Sequence, residues 1–321
     1  MALGTDHIIT TEVGNFIPEL WSNEVVASRK SNIVMTGLVL NMDQPGPGDT
    51  IRIPTPTRAS ASNKAAEAEV TLIQHGADAG ILVNIDKHKE YSRFIEDIVE
   101  KQALSSLRRF YVDDAGFALA KESDSDLIIE SLSVAGATIV FDAAANNVPF
   151  AGRTLVADQI REGDGSAWDE APAPMDITDA GIRSFVKVLD DADAPMANRN
   201  MVIPTIVKQD LLGLDRFTEQ SFTGEVSGAN SIRNGLVGDV YGVQVYVTTR
   251  LPTVEDNTAA ADSVLGLMFQ SDAMVYVEQM GVRTQSQYIQ QYLADLFTAD
   301  IIYGTKLLRE DHVVPFVVPT T

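Results

Sequence analysis

The stretch from Glu90 to Lys121, EYSRFIEDIVEKQALSSLRRFYVDDAGFALAK, constrains this chain more than any other. Its apolar residues run Tyr91, Phe94, Ile95, Ile98, Val99, Leu104, Leu107, Tyr111, Val112, Ala115 and Leu119. They fall on one stripe of a 3.6-residue spiral. No proline interrupts the stretch, and its one glycine, Gly116, sits near the end. The pattern predicts a single amphipathic helix, which at about 1.5 Å per residue spans on the order of 45 Å. Such a stripe needs a cover from elsewhere in the chain. The helix is therefore predicted to be a beam on which other elements are laid, with Phe94, Ile98, Leu104, Leu107 and Tyr111 as its core face. Ser123 to Asp126, SDSD, is predicted to end it as a solvated turn.

Composition narrows the function. The chain has 321 residues, 45% of them hydrophobic, enough for one large domain or two smaller ones. It has no cysteine, which excludes disulfides, thiolate metal sites and cysteine nucleophiles. Forty-five acidic against 24 basic residues leave a net charge of −21 with no basic patch, which argues against sequence-specific reading of nucleic acid. The start, MALGTDHIITTEVG, lacks the basic and apolar segments of a secretory signal. No window is long and apolar enough to predict a membrane span.

Around the beam the chain reads as mixed α and β. Phe16 to Lys30 is a short helix candidate, and Ser31 to Leu40 leans to β. NMDQPGPGD, Asn41 to Asp49, is a turn cluster. Thr50-Ile51-Arg52-Ile53-Pro54 alternates, as does Ile81 to Asp86, with Ile81, Val83 and Ile85 on one side. Thr55 to Glu69 between them is small and polar. Residues 41–89 thus read as a long two-stranded excursion with a soft tip and no core of its own, in need of a partner surface. Further on, Ile177 to Asp191 is a helix that Thr178 caps. Met201 to Pro204 is a buried strand, Thr205 to Leu214 a short helix, and Tyr241 to Thr249 an alternating strand. Val264 to Phe269, Ala273 to Val277 and Ile301 to Arg309 are strands, followed by a tail ending in VVPTT. No regular βαβ alternation appears, so the fold class is α+β.

Chemistry is scarce. The four histidines, His7, His75, His88 and His312, make no metal-binding spacing. Asp190-Asp191-Ala192-Asp193 and Asp124-Ser125-Asp126 lack the layout of a calcium loop. Ser184 and Lys187 form an S-x-x-K without its companion motifs, on the polar side of a helix. No catalytic, cofactor or metal residue is predicted, and the chain is not expected to be an enzyme.

The order of arm, excursion, long helix and mixed lobe resembles the major coat proteins of tailed bacteriophages, with their Hong Kong 97-type fold. FIPELWSNEVV resembles the family's opening helix, and GDTIRIPTPTRA the rising strand of its extended loop. LDDADAPMANRNMVIPTIVKQDLL and SIRNGLVGDVYGVQVYVTTRLP resemble its axial domain, and ADLFTADIIYGTKLLRED the closing strand of its peripheral domain. The resemblance implies an N-terminal arm and short helix over 1–40 and an extended β-hairpin loop over 41–89. It implies a spine helix over 90–126 in the peripheral domain, an axial domain over 127–263, and a return to the peripheral domain over 264–321. It also implies pentamers and hexamers that close an icosahedral shell around double-stranded DNA, through a procapsid that matures, in a virion assembled in the host cytoplasm. Arg52, Arg58, Lys64, Glu67 and Glu69 of the loop become candidate contacts between subunits. The fold signals begin by residue 16, so a scaffolding protein is expected to be separate, alongside a portal. Lys64 is read as a surface lysine rather than a crosslinking one. The alternative is an encapsulin-type compartment shell of the same fold, enclosing a cargo enzyme.

Overall fold

The computed structural model describes residues 33–44, 46–55, 61, 63–64, 66–67, 69, 79–96, 107–131, 136–141, 154–157, 160–167, 175–214, 238–255 and 263–319. Among these residues three helices and fifteen strands form three sheets. The mixture is α+β, without a doubly wound parallel sheet.

A four-stranded sheet has the order β1 (Leu40–Asp43), β13 (Met274–Ile289), β14 (Ala294–Leu307), β4 (Lys87–Glu96). Helix α1 (Leu107–Ser131) lies across one face. Its Ala115, Leu119, Leu127 and Ile128 are buried with Tyr276 of β13 and Phe297, Ala299, Ile301 and Tyr303 of β14. The other face is covered by a two-stranded hairpin, β2 (Thr50–Thr55) and β3 (Ala79–Asn84), paired from Thr50↔Asn84 to Thr55↔Ala79. Val83 and Ile85, with Ile51 and Ile53, pack on Val275, Val277 and Ile302. The predicted alternation of this excursion is therefore real. Its base, however, finds a partner surface within its own chain.

The second body is a nine-stranded sheet with the path β6 (Thr154–Ala157), β5 (Gly136–Phe141), β11 (Thr253–Glu255), β12 (Ser263–Gln270), β8 (Arg199–Ile203), β10 (Val243–Val247), β9 (Asp239–Val240). Off this path, β15 (Val313–Pro319) pairs along β12 from Ser263↔Pro319 to Phe269↔Val313, and with β7 (Arg161–Glu162). Helices α2 (Asp179–Asp191) and α3 (Thr205–Gly213) cover one face. Ile182, Phe185 and Leu189 of α2 and Val207 and Leu211 of α3 pack on Met201, Ile203, Met268, Val314, Phe316 and Val318. The opposite face, with Leu265, Leu267, Phe269, Val313 and Val317, joins the core under α1, so one apolar body unites both sheets. Thr178 caps α2 by accepting from the Gly181 N–H at 3.0 Å, as predicted.

Several expectations are corrected. Residues 87–96 are a strand rather than the start of a helix. They pair with β14 over ten positions, Tyr303↔Lys87 to Ala294↔Glu96. Tyr91, Phe94 and Ile95 satisfy a helical stripe, but Lys87, Lys89 and Tyr91 also alternate with exposed His88, Glu90 and Ser92. A partner strand decides between the two periods. Phe94 is consequently no helix core residue; it is 56% exposed beside Tyr292, ring centroids 5.6 Å apart. Leu107 opens α1, and Tyr111 sits half-buried on it. Ile98 and Leu104 lie outside the described residues. The helix does not end at Ser123–Asp126 but runs through them, and all four are buried.

Met35–Gly37, read as β-leaning, is a single 3-10 turn, and the polar run after Gly281 is the paired half of a long hairpin. The tail is a strand buried on both faces. That is why it shows an unbroken apolar run rather than alternation. Residues 264–321 are also no single return to one sheet. The chain leaves the larger sheet at β12, forms β13 and β14 in the smaller, and comes back at β15. The helix predicted at 16–30 falls outside the described residues.

Hairpin and sheet meet closely at Gly304. A Cβ there would lie 2.3 Å from the Asn84 carbonyl oxygen. Gly304→Ala is expected to destabilise the protein by about 1–3 kcal/mol through overpacking and to speed proteolysis within 79–86. A wild-type melting curve and digestion pattern would show that the hairpin base is not seated there.

Candidate functional site

Two features stand out among the described residues: the hairpin that leaves the sheet, and the polar segment of α1 that holds the turn at Met35. On the hairpin, Arg52 is exposed on β2, opposite Leu82 in the ladder and across from the packed Ile51 and Ile53. Lys64, Glu67 and Glu69 are exposed beyond it, Glu67 with a left-handed φ of 62°. Among the described residues no ion pair joins these four. Arg58 lies outside the described residues.

The polar segment of α1 is a row of anchors. Asp124 Oδ1 accepts from the backbone N–H groups of Met35 at 2.7 Å and Val34 at 3.3 Å. This holds the 3-10 turn against the helix. Asp126 Oδ2 accepts from the Tyr303 hydroxyl at 2.8 Å and lies 3.4 and 3.6 Å from the ammonium groups of Lys87 and Lys89. Glu130 Oε1 accepts from Lys306 Nζ at 3.2 Å and the Leu307 N–H at 3.1 Å. Arg250, at the end of the loop after β10, donates to the Ser125 hydroxyl and the Lys121 carbonyl. Ser123 and Ser125 donate back to the carbonyls of Leu119 and Lys121. Serine and aspartate are weak helix formers because they compete for backbone groups. Here every competing bond is made inside the helix or to a neighbouring element. The sequence reading missed these residues, although the spacing from Ala115 and Leu119 to Leu127 continues the same stripe through them.

Asp124 and Asp300 respond to pH in opposite directions. Burial pushes the Asp124 carboxyl above its ordinary 3.8, against the pull of the two N–H groups and Arg250. Its Oδ2 has no hydrogen-bond partner among the described residues. Asp300 is held below 3.8, chiefly by Arg283, whose Nε and Nη2 donate to it at 3.1 and 2.7 Å, with His88 at 3.2 Å.

The residues with catalytic precedent do not assemble. Ser184 donates to the Gly165 carbonyl at 3.3 Å, while Lys187 points to Asp191 at 3.7 Å, so the S-x-x-K pair shares no proton path. Asp190 is 2.7 Å from buried Arg199, which also donates to the Ala194 and Pro195 carbonyls. His312 is buried, and burial depresses its pKa. Among the described residues no three His, Asp or Glu side chains group as a metal site, and no helix is long and apolar enough to cross a membrane.

No family model and no curated protein matches the chain. Solved structures do. The chain is similar to a structure from Mycobacterium phage Che8 at 22% identity and a TM-score of 0.70, over 94% of this chain and 97% of that one. It is similar to the capsid of Cyanophage P-SCSP1u at 19% identity and a TM-score of 0.71, over 96% and 95%. It is similar to the Cyanophage Pam1 capsid at 11% identity and a TM-score of 0.70, over 99% of both chains. The fold is thus that of phage capsid structures from end to end.

Between unfolded and folded chains, a raised carboxyl leaves the native state holding more protons above pH 3.8, so stability falls as pH rises through that window. A depressed carboxyl adds stability that is complete above 3.8 and lost as pH falls through the folded value. Asp124→Asn is therefore expected to abolish a fall in the urea midpoint above pH 3.8, and Asp300→Asn to blunt the loss below it. Identical midpoint–pH curves for wild type and both variants would contradict these assignments.

Proposed function

We propose that this chain is the major capsid protein of a tailed bacteriophage, built on the Hong Kong 97-type plan. The observation that carries the reading is the match to phage capsid structures over both whole chains, with all layers included. On this reading α1 is the spine helix, the four-stranded sheet belongs to the peripheral domain, and the nine-stranded sheet with α2 and α3 forms the axial domain. The hairpin is the extended loop. It clasps an adjacent subunit, with Arg52 on its base and Arg58, Lys64, Glu67 and Glu69 beyond as candidate contacts.

Copies then form pentamers and hexamers and close a shell around double-stranded DNA inside the host cytoplasm, with a separate scaffolding protein and a portal. The role is structural rather than enzymatic. A net charge of −21 supports it, because a wall rich in carboxylates repels the phosphate backbone and lets packed DNA slide.

Deleting residues 56–68 is expected to leave a folded protein, because the hairpin base from Thr50 to Thr55 and Ala79 to Asn84 keeps its seat. Closed shells should be lost. Negative-stain electron microscopy of wild type and deletion, each expressed with candidate scaffold genes, reads this out. Normal shells from the deletion would refute the clasp. Wild-type shells filled with a cargo protein instead of DNA would move the assignment to a compartment shell.

A further inference from the structure

We propose that the outer edge of β13, from Arg283 to Gln287, is a self-pairing edge that joins two copies of this chain antiparallel about Gln285. The proposal stands on the sheet and goes beyond the shell reading. β13 is sixteen residues long and is paired with β14 on its inner side as far as Ile289↔Ala294. On its outer side β1 covers only Val275 to Glu278. Past that point the register with β14 shifts between Glu278 and Met280 and again between Met280 and Arg283, so the strand bends away as its cover ends. Among the described residues no strand lies beside the rest of the edge. Every residue from Gly281 to Tyr288 is exposed.

An edge of this kind offers a row of backbone donors and acceptors to any passing strand. Chains that stay single guard such edges with lysine, proline or unpaired charge. From Thr284 to Gln287 the sequence is T-Q-S-Q, with none of these guards. The one nearby charge, Arg283, is engaged by Asp300 in two hydrogen bonds at 3.1 and 2.7 Å. Among the described residues the bend is the only guard, and it lies ahead of the open segment rather than within it.

The side chains select a second copy as the occupant. A twofold axis at Gln285 sets Thr284 opposite Ser286, a hydroxyl pair, and Gln285 opposite itself, an amide pair. Arg283 then faces Gln287, so no like charges meet. Such cross-strand pairs are the favourable ones in antiparallel ladders. The contact is isologous, with one patch serving both partners. The outer edge of β4 in a second copy is the competing occupant, and it would give a head-to-tail join instead.

The chain has no cysteine, so single thiols report cleanly. In purified full-length protein, Gln285→Cys should form dimers with a short bismaleimide about tenfold faster than Lys187→Cys, a control on α2 that is 75% exposed, because paired edges raise the local thiol concentration. Gln285→Lys and Gln285→Glu should each weaken dimerisation by about fivefold in sedimentation, since like charges then face each other across the axis. An equal mixture of the two should restore it. Matching melting curves will show that both variants fold. The proposal is overturned if Gln285→Cys reacts no faster than the control or if the charge variants dimerise like wild type. It is equally overturned if Gln285→Cys crosslinks only to a chain carrying Ser92→Cys on β4.

Discussion

Four consecutive polar residues, Ser123 to Asp126, are buried within the longest helix of the described chain, and much of the architecture follows from that. A buried carboxylate is tolerable only when donors reach it. The donors come from distant parts of the chain: the 3-10 turn at Met35, Tyr303 on β14, and Lys87 and Lys89 on β4. Satisfying the helix therefore places the turn, two strands of the smaller sheet and Arg250 at once. Apolar burial supplies most of the driving force, but it is indifferent to register. The carboxylates fix which residues meet.

The smaller sheet is covered on both faces, by α1 on one side and the base of the hairpin on the other. This divides the excursion into two mechanical parts. Its base is seated on Val275, Val277 and Ile302 and moves with the body. Its distal part carries exposed Lys64, Glu67 and Glu69. If the excursion clasps a neighbour as proposed, a seated root would transmit load from that contact into the sheet.

Much of this was legible in the residues. The alternation of Ile51 and Ile53 with Arg52, the Thr178 cap, the buried Met201–Ile203 strand and the apolar face of α2 are local patterns, and local patterns predict local structure. The failures share a cause. Tyr91, Phe94 and Ile95 fit both a helix and a strand, and the deciding partner, β14, lies some two hundred residues away in sequence. Asp124 and Asp126 look like a solvated turn because their donors are equally remote. Val313 to Pro319 shows no alternation because both of its faces are buried. Of the candidate contacts, Arg52, Lys64, Glu67 and Glu69 could be recognised as exposed, whereas the anchors on α1 could not be recognised as buried.

The excursion of β13 and β14 between β12 and β15 bears on how the protein is made. β15 lies along β12 from Ser263 to Phe269 and contributes to the apolar cores on both faces of the larger sheet. Among the described strands it follows all the others in sequence. Until Val313 to Pro319 leave the ribosome, β12 has an open flank, and Leu265, Leu267 and Phe269 lack part of their cover. The larger sheet therefore closes only after β13 and β14 have been made, and it is not available as a finished unit before the smaller sheet's strands exist. A nascent chain is thus kept from completing its larger sheet, and from presenting that sheet's finished surfaces, until the strands of both sheets have been made.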